Sequence, residues 1–337
     1  MKVTDFSKAL TDFLMKYLPS ERNVSTNTIK AYKDTFILFI TFMQSQKGIK
    51  AYKIDLSCIT KASIVEYLDW LQNVRNNCNA TRNMRLAAIR SFFKYLQYEH
   101  PEHMFQWQQI LSIPVKNAGK GTIAYLTLDA IKAILSMPDP SSKKGRRDLA
   151  MLSLMYDSGA RVQEIIDLTP LMVRLEAPCT LKLIGKGNKA RIVPLIDNQV
   201  MFLRQYMDEN KLLLPHANNY PLFSNSRKEK LTRAGMNYIL LKYVNLARMN
   251  GVTSIPPKIS CHSLRHSKAM HLLQADVNLV YIRDILGHTS IKTTEIYARV
   301  DSARKREAIE NAYAEVAPKS IPRWLGNSDL LDWLKEL

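Results

Sequence analysis

The stretch TLKLIGKGNKARIVPL, residues 180–195, carries the chain's one hairpin signal. Two short β-prone runs, Thr180–Ile184 and Ala190–Leu195, flank Gly185-Lys186-Gly187-Asn188-Lys189, a turn rich in the residues that accept left-handed backbone. Outward from it the pattern is helical on both sides. Apolar residues recur at helical spacing over Leu128–Met137 and Arg147–Tyr156 before it, and over Ala234–Met249, Leu264–Gln274 and Leu279–Leu286 after it. Further back, Ser25 or Thr26 can cap a helix bearing Ile29, Tyr32, Phe36, Phe39, Ile40 and Met43. A second helix is expected from Thr60 to about Val74, and a third after Thr81 with Leu86, Ile89, Phe93 and Leu96 on one stripe. The expected fold is therefore mainly α with one small antiparallel sheet. Pro114, Gly119 and Gly121 break the pattern, so a helical domain over 1–111, a linker over 112–126 and an α-rich domain with the sheet over 127–337 are predicted.

Charge narrows the function. Among 337 residues, 48 Lys and Arg stand against 30 Asp and Glu, a formal charge of +18. Both halves of the chain are basic, which suits a partner with repeated phosphates, where counterion release rewards a broad positive surface. Duplex DNA is the expected partner. On the third helix Asn83, Arg90 and Lys94 fall together beside the apolar stripe, at positions able to meet a groove. The longest strongly apolar run, Phe36 to Met43, is too short to cross a bilayer, and Asp5, Lys8 and Asp12 do not fit a secretory leader. Four cysteines far apart, with no CxxC pair, speak for a reducing compartment, hence the cytoplasm, and against a zinc cluster. No metal or cofactor is expected.

Four short motifs carry chemistry. In Tyr156-Asp157-Ser158-Gly159-Ala160-Arg161-Val162-Gln163-Glu164, a tight turn leads into a helix start. Arg161 stands there with amide donors for a phosphate, and Glu164 is placed to brace it. A structural ion pair would use the same two residues. Lys186, flanked by glycines at the hairpin tip, is approachable enough to deliver a proton to a leaving oxygen. In Cys261-His262-Ser263-Leu264-Arg265-His266, His262 and Arg265 share a helix face. His266 and His271 read as packing or supporting histidines. In Leu286-Gly287-His288 the glycine ends a helix and leaves His288 in a turn, with Tyr297 nine residues on.

Arginine, hairpin lysine, HxxR, then LGH followed by tyrosine, in that order within some 220 residues, resembles the tyrosine recombinase (phage-integrase-like) family. The resemblance implies a DNA breaking–rejoining catalytic fold and an N-terminal SAM-like core-binding domain. Carried over position by position, it implies that Arg161 and Arg265 bind the phosphate and that Lys186 is the general acid. His262 and His288 would be the histidine donors, Tyr297 the nucleophile, and Glu164 the supporting acidic residue. Ala160 departs from the larger apolar residue often found before the first arginine. The implied reaction is site-specific recombination through a covalent 3′-phosphotyrosyl link, without metal or nucleotide cofactor and through a tetramer on DNA. Accessory recombination proteins are possible partners by the same resemblance. A terminal helix at about 328–337, with Leu330, Leu331, Leu334 and Leu337 on one face, is expected to dock into a neighbouring subunit. The charge and the extension past Tyr297 lean toward a mobile-element integrase.

Three other functions compete with this one. A non-catalytic DNA-binding regulator would not need the full set of six side chains. A DNA-relaxing topoisomerase of the same chemistry would not need the terminal docking helix. A metal-dependent transposase would need a carboxylate trio, which no spacing here recommends.

Overall fold

The computed structural model describes residues 3–119, 124–185 and 187–300, in two compact units, Met1–Gly121 and Thr122–Leu337. Lys186 and the expected docking helix at 328–337 lie outside the described residues.

The first unit is all helix. Helix α1 (Asp5–Asp12) runs into a wider π-wound stretch, Phe13–Glu21, and is followed by α2 (Thr26–Lys47), α3 (Lys61–Asn73), α4 (Asn79–Glu99) and α5 (Met104–Leu111). Ser25 caps α2 by accepting from the Thr28 amide, and Thr60 caps α3 through Ser63, as hydroxyls do where the first amides lack carbonyl partners. Helix α4 starts two residues before Thr81, after Cys78, which makes no side-chain cap. The buried stripes of α2 and α4 meet in an aromatic cluster in which the Phe13 ring lies near Phe36, Phe92 and Tyr95. Edge-to-face pairs of this kind add about 0.5–1.5 kcal/mol each beyond the apolar area they bury.

After α5 the chain lies against α4. Ile113 is buried, Arg90 donates to its carbonyl, and Asn83 bonds both the amide and the carbonyl of Lys116. The beginning of the expected linker is thus pinned to the first unit. Its end is equally fixed, since Leu126 is fully buried in the second unit and its amide donates to Ser267 Oγ at 2.8 Å.

The second unit comprises α6 (Leu128–Leu135), α7 (Lys143–Asp157), α8 (Val162–Ile166), β1 (Val173–Arg174), β2 (Thr180–Ile184), β3 (Ala190–Pro194), α9 (Asp197–Glu209), α10 (Arg233–Met249), α11 (Cys261–Gln274), α12 (Leu279–Leu286) and α13 (Glu295–Val300). Helix α7 is its spine: Ala150 to Tyr156 are all buried, the mark of a helix surrounded by other elements. Its buried Asp148 is satisfied by Arg147 and by the Tyr243 hydroxyl at 2.8 Å. The sheet is antiparallel in the order β1-β2-β3, with Leu183 opposite Arg191 and Ile184 opposite Ala190. The Gly185 amide donates to the Lys189 carbonyl across the turn at 2.8 Å, while Gly187 and Asn188 take positive φ. The fold is the mainly helical one with a small antiparallel sheet that the periodicity predicts.

Candidate active site

Helix α8 begins at the tight turn expected around Gly159, whose φ of 57° suits a residue without Cβ. Arg161 is the residue before the helix. Its backbone amide donates to Glu164 Oε2 at 2.8 Å and its Nη1 to Oε1 at 2.8 Å, so the carboxylate braces both main chain and guanidinium. Helix α11 starts at Cys261, earlier than the apolar pattern suggests, and places His262 in the first turn and Arg265 one turn later. His262 keeps an open face, whereas Arg265 is only 1% exposed.

The two arginines meet at the end of α12. Gly287 closes that helix in left-handed conformation, and its last carbonyls have no amide partners within the helix. Arg265 Nη2 donates to the Leu286 carbonyl at 2.7 Å and Arg161 Nη2 to the Gly287 carbonyl at 3.1 Å. Arg265 Nη1 also reaches the Gly159 carbonyl at 2.6 Å. A cation is favoured at this end of a helix by the macrodipole. Burial, assisted by the Arg161 charge, draws Arg265 down to about 10.

His288 follows in the turn, its Nδ1 2.9 Å from Thr294 Oγ1, with its ring stacked on Tyr297 at 6.5 Å between centroids. Tyr297 lies on α13, is 1% exposed, and its hydroxyl is hydrogen-bonded to His266 Nδ1 at 2.9 Å. Burial pushes the phenol above its ordinary value, while Arg265 and Arg161 pull in the opposite sense. Burial and the surrounding cations hold His266 and His288 down at about 4, and desolvation with the Arg265 and Arg161 charges lowers His262 as well. The imidazoles near the tyrosine are therefore neutral at physiological pH. Each offers one N–H donor and one lone pair.

In front of this network lies a cleft of about 540 Å³, lined by Arg161, Gly185, Lys189, Arg191, Arg283 and His288 among others. Five basic side chains, Arg161, Lys189, Arg191, Arg283 and His288, face one opening against the single carboxylate of Asp284, which suits an anion. Arg161 is 35% exposed and has donor capacity left over, so it can reach a phosphate there without releasing Glu164. No cluster of His, Cys, Asp or Glu with metal-holding geometry occurs among the described residues. No helix among them is long and apolar enough to cross a membrane.

The model of the phage integrase family matches residues 124–304, more than half of the chain, and that of the phage integrase N-terminal SAM-like domain matches residues 11–100. The chain belongs to the phage integrase family. The integrase/recombinase y4rC of Sinorhizobium fredii (strain NBRC 101917 / NGR234) is 33% identical over 338 residues, covering 100% of this chain and 99% of that protein. Tyrosine recombinase XerD of Listeria monocytogenes serotype 4b (strain F2365) is 31% identical, covering 92% of this chain and 99% of the relative. Among solved structures, a XerH site-specific recombinase bound to its difH substrate after cleavage superposes with a TM-score of 0.68 at 23% identity, over 88% of this chain and 83% of that one. A transposon integrase in complex with transposon right-end DNA does so at 0.67 and 15% identity, over 89% and 98%. These two likenesses establish the fold. Its family and its recombinase relatives make the chain a tyrosine-type, site-specific DNA recombinase.

The structure brings Arg161, Glu164, Arg265, His288 and Tyr297 into one network, with His262 beside it through a ring contact to His266 at 4.3 Å. Two residues support this network, His266, whose supporting role the sequence allows, and Arg191, which it does not single out. His266, which the sequence reads as a packing or supporting histidine, holds the Tyr297 hydroxyl, and its spacing of four from His262, one turn along the same helix, is the local signal for it. Arg191, on β3, donates Nη1 and Nη2 to the two oxygens of Glu164 at 2.9 and 2.7 Å and Nε to the Ile285 carbonyl at 2.8 Å. Burial pushes the Glu164 carboxyl up, but Arg191 and Arg161 outweigh it and hold the group below its ordinary value. In the first unit Asn83, Arg90 and Lys94 line one cleft together with Arg22 and Tyr17. Asn83 and Arg90 also anchor the chain after α5, while Lys94 projects into solvent.

Proposed function

We propose that the cleft of the second unit seats the scissile phosphate, with Arg161 and His288 as its direct donors. Arg265 adds charge from beneath the α12 turn, and His262 donates from its open edge. Charge gathers on the non-bridging oxygens in the transition state, and pre-organised donors stabilise it there; removing one such donor typically costs on the order of 3 kcal/mol. Tyr297 is the nucleophile. The phenol proton passes to a neighbouring neutral imidazole, the phenol oxygen bonds to phosphorus, the bond from phosphorus to the 5′ oxygen breaks, and Lys186 hands that oxygen a proton. Attack by a 5′-hydroxyl of another strand reverses each step. The observation that carries this reading is the meeting of Arg161 and Arg265 on adjacent carbonyls of the turn that bears His288, which in turn stacks on Tyr297. Lys186 is supported by Gly185 and Lys189, its neighbours on the hairpin, which both line the cleft.

The hydrogen bond to His266 means that Tyr297 must exchange partners before it attacks. The first unit grips the duplex through the α4 cleft, with Lys94 on phosphate and Asn83 and Arg90 at its base. The reaction serves integration or excision of a mobile element, in the cytoplasm, within a tetramer joined by the terminal helix at 328–337 and with accessory recombination proteins. The basic charge of +18 and the full-length match to an integrase/recombinase support this assignment.

To test it, cleavage sites are mapped on the DNA flanking the gene, and a nicked duplex bearing the mapped site is given to wild type and to Tyr297→Phe. Wild type is expected to form a covalent protein–DNA adduct, and Tyr297→Phe to bind the duplex without forming one. Adduct formation by Tyr297→Phe would remove Tyr297 from its role.

A further inference from the structure

The end of α12 gathers a third arginine. Counting from Ile285 to Gly287, three consecutive carbonyls each accept from a different guanidinium: Arg191 at 2.8 Å, Arg265 at 2.7 Å and Arg161 at 3.1 Å. These arginines come from β3, α11 and the start of α8, so three elements are tied to one helix terminus. Arg191 differs from the other two in its second attachment, a two-pronged ion pair with Glu164, whose side chain is 3% exposed against 11% for Arg191. A planar guanidinium making three directed bonds fixes its own orientation and that of its partners.

The same carboxylate holds Arg161, so Glu164 is shared between an arginine at the phosphate and one on the hairpin. The base of the hairpin presses on this pair. A Cβ at Gly185 would stand 3.1 Å from Glu164 Oε1 and 3.5 Å from Arg161 Nη1. Gly287 is equally tight, since its Cβ would meet Arg191 Nη1 at 2.9 Å and Cδ at 3.0 Å. Hairpin, α8 start and α12 turn therefore abut with Arg191 and Glu164 between them.

We propose that Arg191 is a positioning residue for strand cleavage: through Glu164 and the Ile285 carbonyl it sets the orientation of Arg161 and the register of the hairpin against the α12 turn. The proposal rests on the assignment of Arg161 and the hairpin to the scissile phosphate. Arg191 need not touch DNA to act. Misplacing a reacting group by about 1 Å can cost on the order of 100-fold in rate, and a brace shared by two elements controls displacements of that size.

A structural ion pair and a positioning device make different predictions. The full chain is compared as wild type, Arg191→Met, Glu164→Gln and the double variant Arg191→Met/Glu164→Gln. Adduct formation on the mapped nicked duplex, DNA affinity by gel shift, and urea denaturation are measured. Arg191→Met leaves a buried carboxylate with one partner fewer and is expected to lose both stability and cleavage. In the double variant neither charge is left uncompensated, so stability returns toward wild type. If Arg191 positions, the folded double variant binds DNA within about threefold of wild type yet forms adduct about 100-fold more slowly, and more slowly than Glu164→Gln, which takes the same carboxylate from Arg161 but leaves Arg191 on the Ile285 carbonyl. If the pair is only structural, cleavage returns with stability, and that result overturns the proposal. So does wild-type cleavage by folded Arg191→Met. Absence of adduct with wild type itself would instead overturn the function on which the inference rests.

Discussion

Lowering the pH from 7 to 5 perturbs the catalytic unit through rings that this fold keeps neutral. An unfolded histidine titrates near 6.5, whereas His266 and His288 are held at about 4 by burial and by the cations around them. The unfolded chain therefore takes up protons that the folded chain refuses. The stability that these rings contribute is fully present above about 6.5 and drains away as the pH falls toward about 4. At pH 5 the linkage relation gives a loss of about 2 kcal/mol per ring for groups wholly shielded from water. Both rings are only half-buried, so screening brings this to about 1 kcal/mol each, or about 2 kcal/mol for the pair. His262 and His271, also lowered, add in the same direction. The assay is urea denaturation followed by far-ultraviolet circular dichroism at pH 7 and pH 5, on wild type and on His266→Gln/His288→Gln. Glutamine keeps an acceptor for the Tyr297 hydroxyl but has nothing to titrate. The variant is expected to lose about 2 kcal/mol less than wild type over this interval. Equal losses in the two proteins would refute the reasoning, because the acid sensitivity would then lie in other groups.

Two further outcomes follow from geometry alone. Gly159→Ala places a Cβ 2.8 Å from Leu286 Cδ2 at a φ of 57°, and an unfolding free energy lower by about 2–4 kcal/mol is expected from urea midpoints. A loss under about 0.5 kcal/mol would show that α12 yields easily there. Lys94→Ala, which loses no hydrogen bond or ion pair among the described residues, is expected to weaken DNA binding for every sequence alike. The slope of log affinity against log salt should become shallower by about 0.9.

Much of the fold is legible in the chain because its signals are local. Ser25 and Thr60 announce α2 and α3, the Gly-Asn turn announces the hairpin, and Gly287 announces the end of α12. What escaped lacks such a signal. Helix α9 begins after Ile196 with no side-chain cap, and β1 is two residues long. Most instructive is β3, where Arg191 turns inward beside Val193 while Ile192 is 70% exposed. Propensity alone would assign those faces the other way round. The inward arginine makes sense only once Glu164 and Ile285, 27 residues before it and 94 after it, have come alongside. For His266, read as packing or supporting, only the contact with Tyr297 escaped, since that partner lies 31 residues further on. The residues matched by motif are those whose chemistry is written in side-chain type; their braces are written in contacts.

The buried phenol bears on what happens when a single copy meets stray duplex. On the proposed roles, the cleft holds a phosphate with Arg161 and His288 while the Tyr297 oxygen is still engaged elsewhere, on His266. Such an encounter can slide, pause and dissociate with the backbone of the duplex intact. Commitment to a break would then be a separate event from recognition, and a genome scanned many times over would be nicked only where something further draws the tyrosine out.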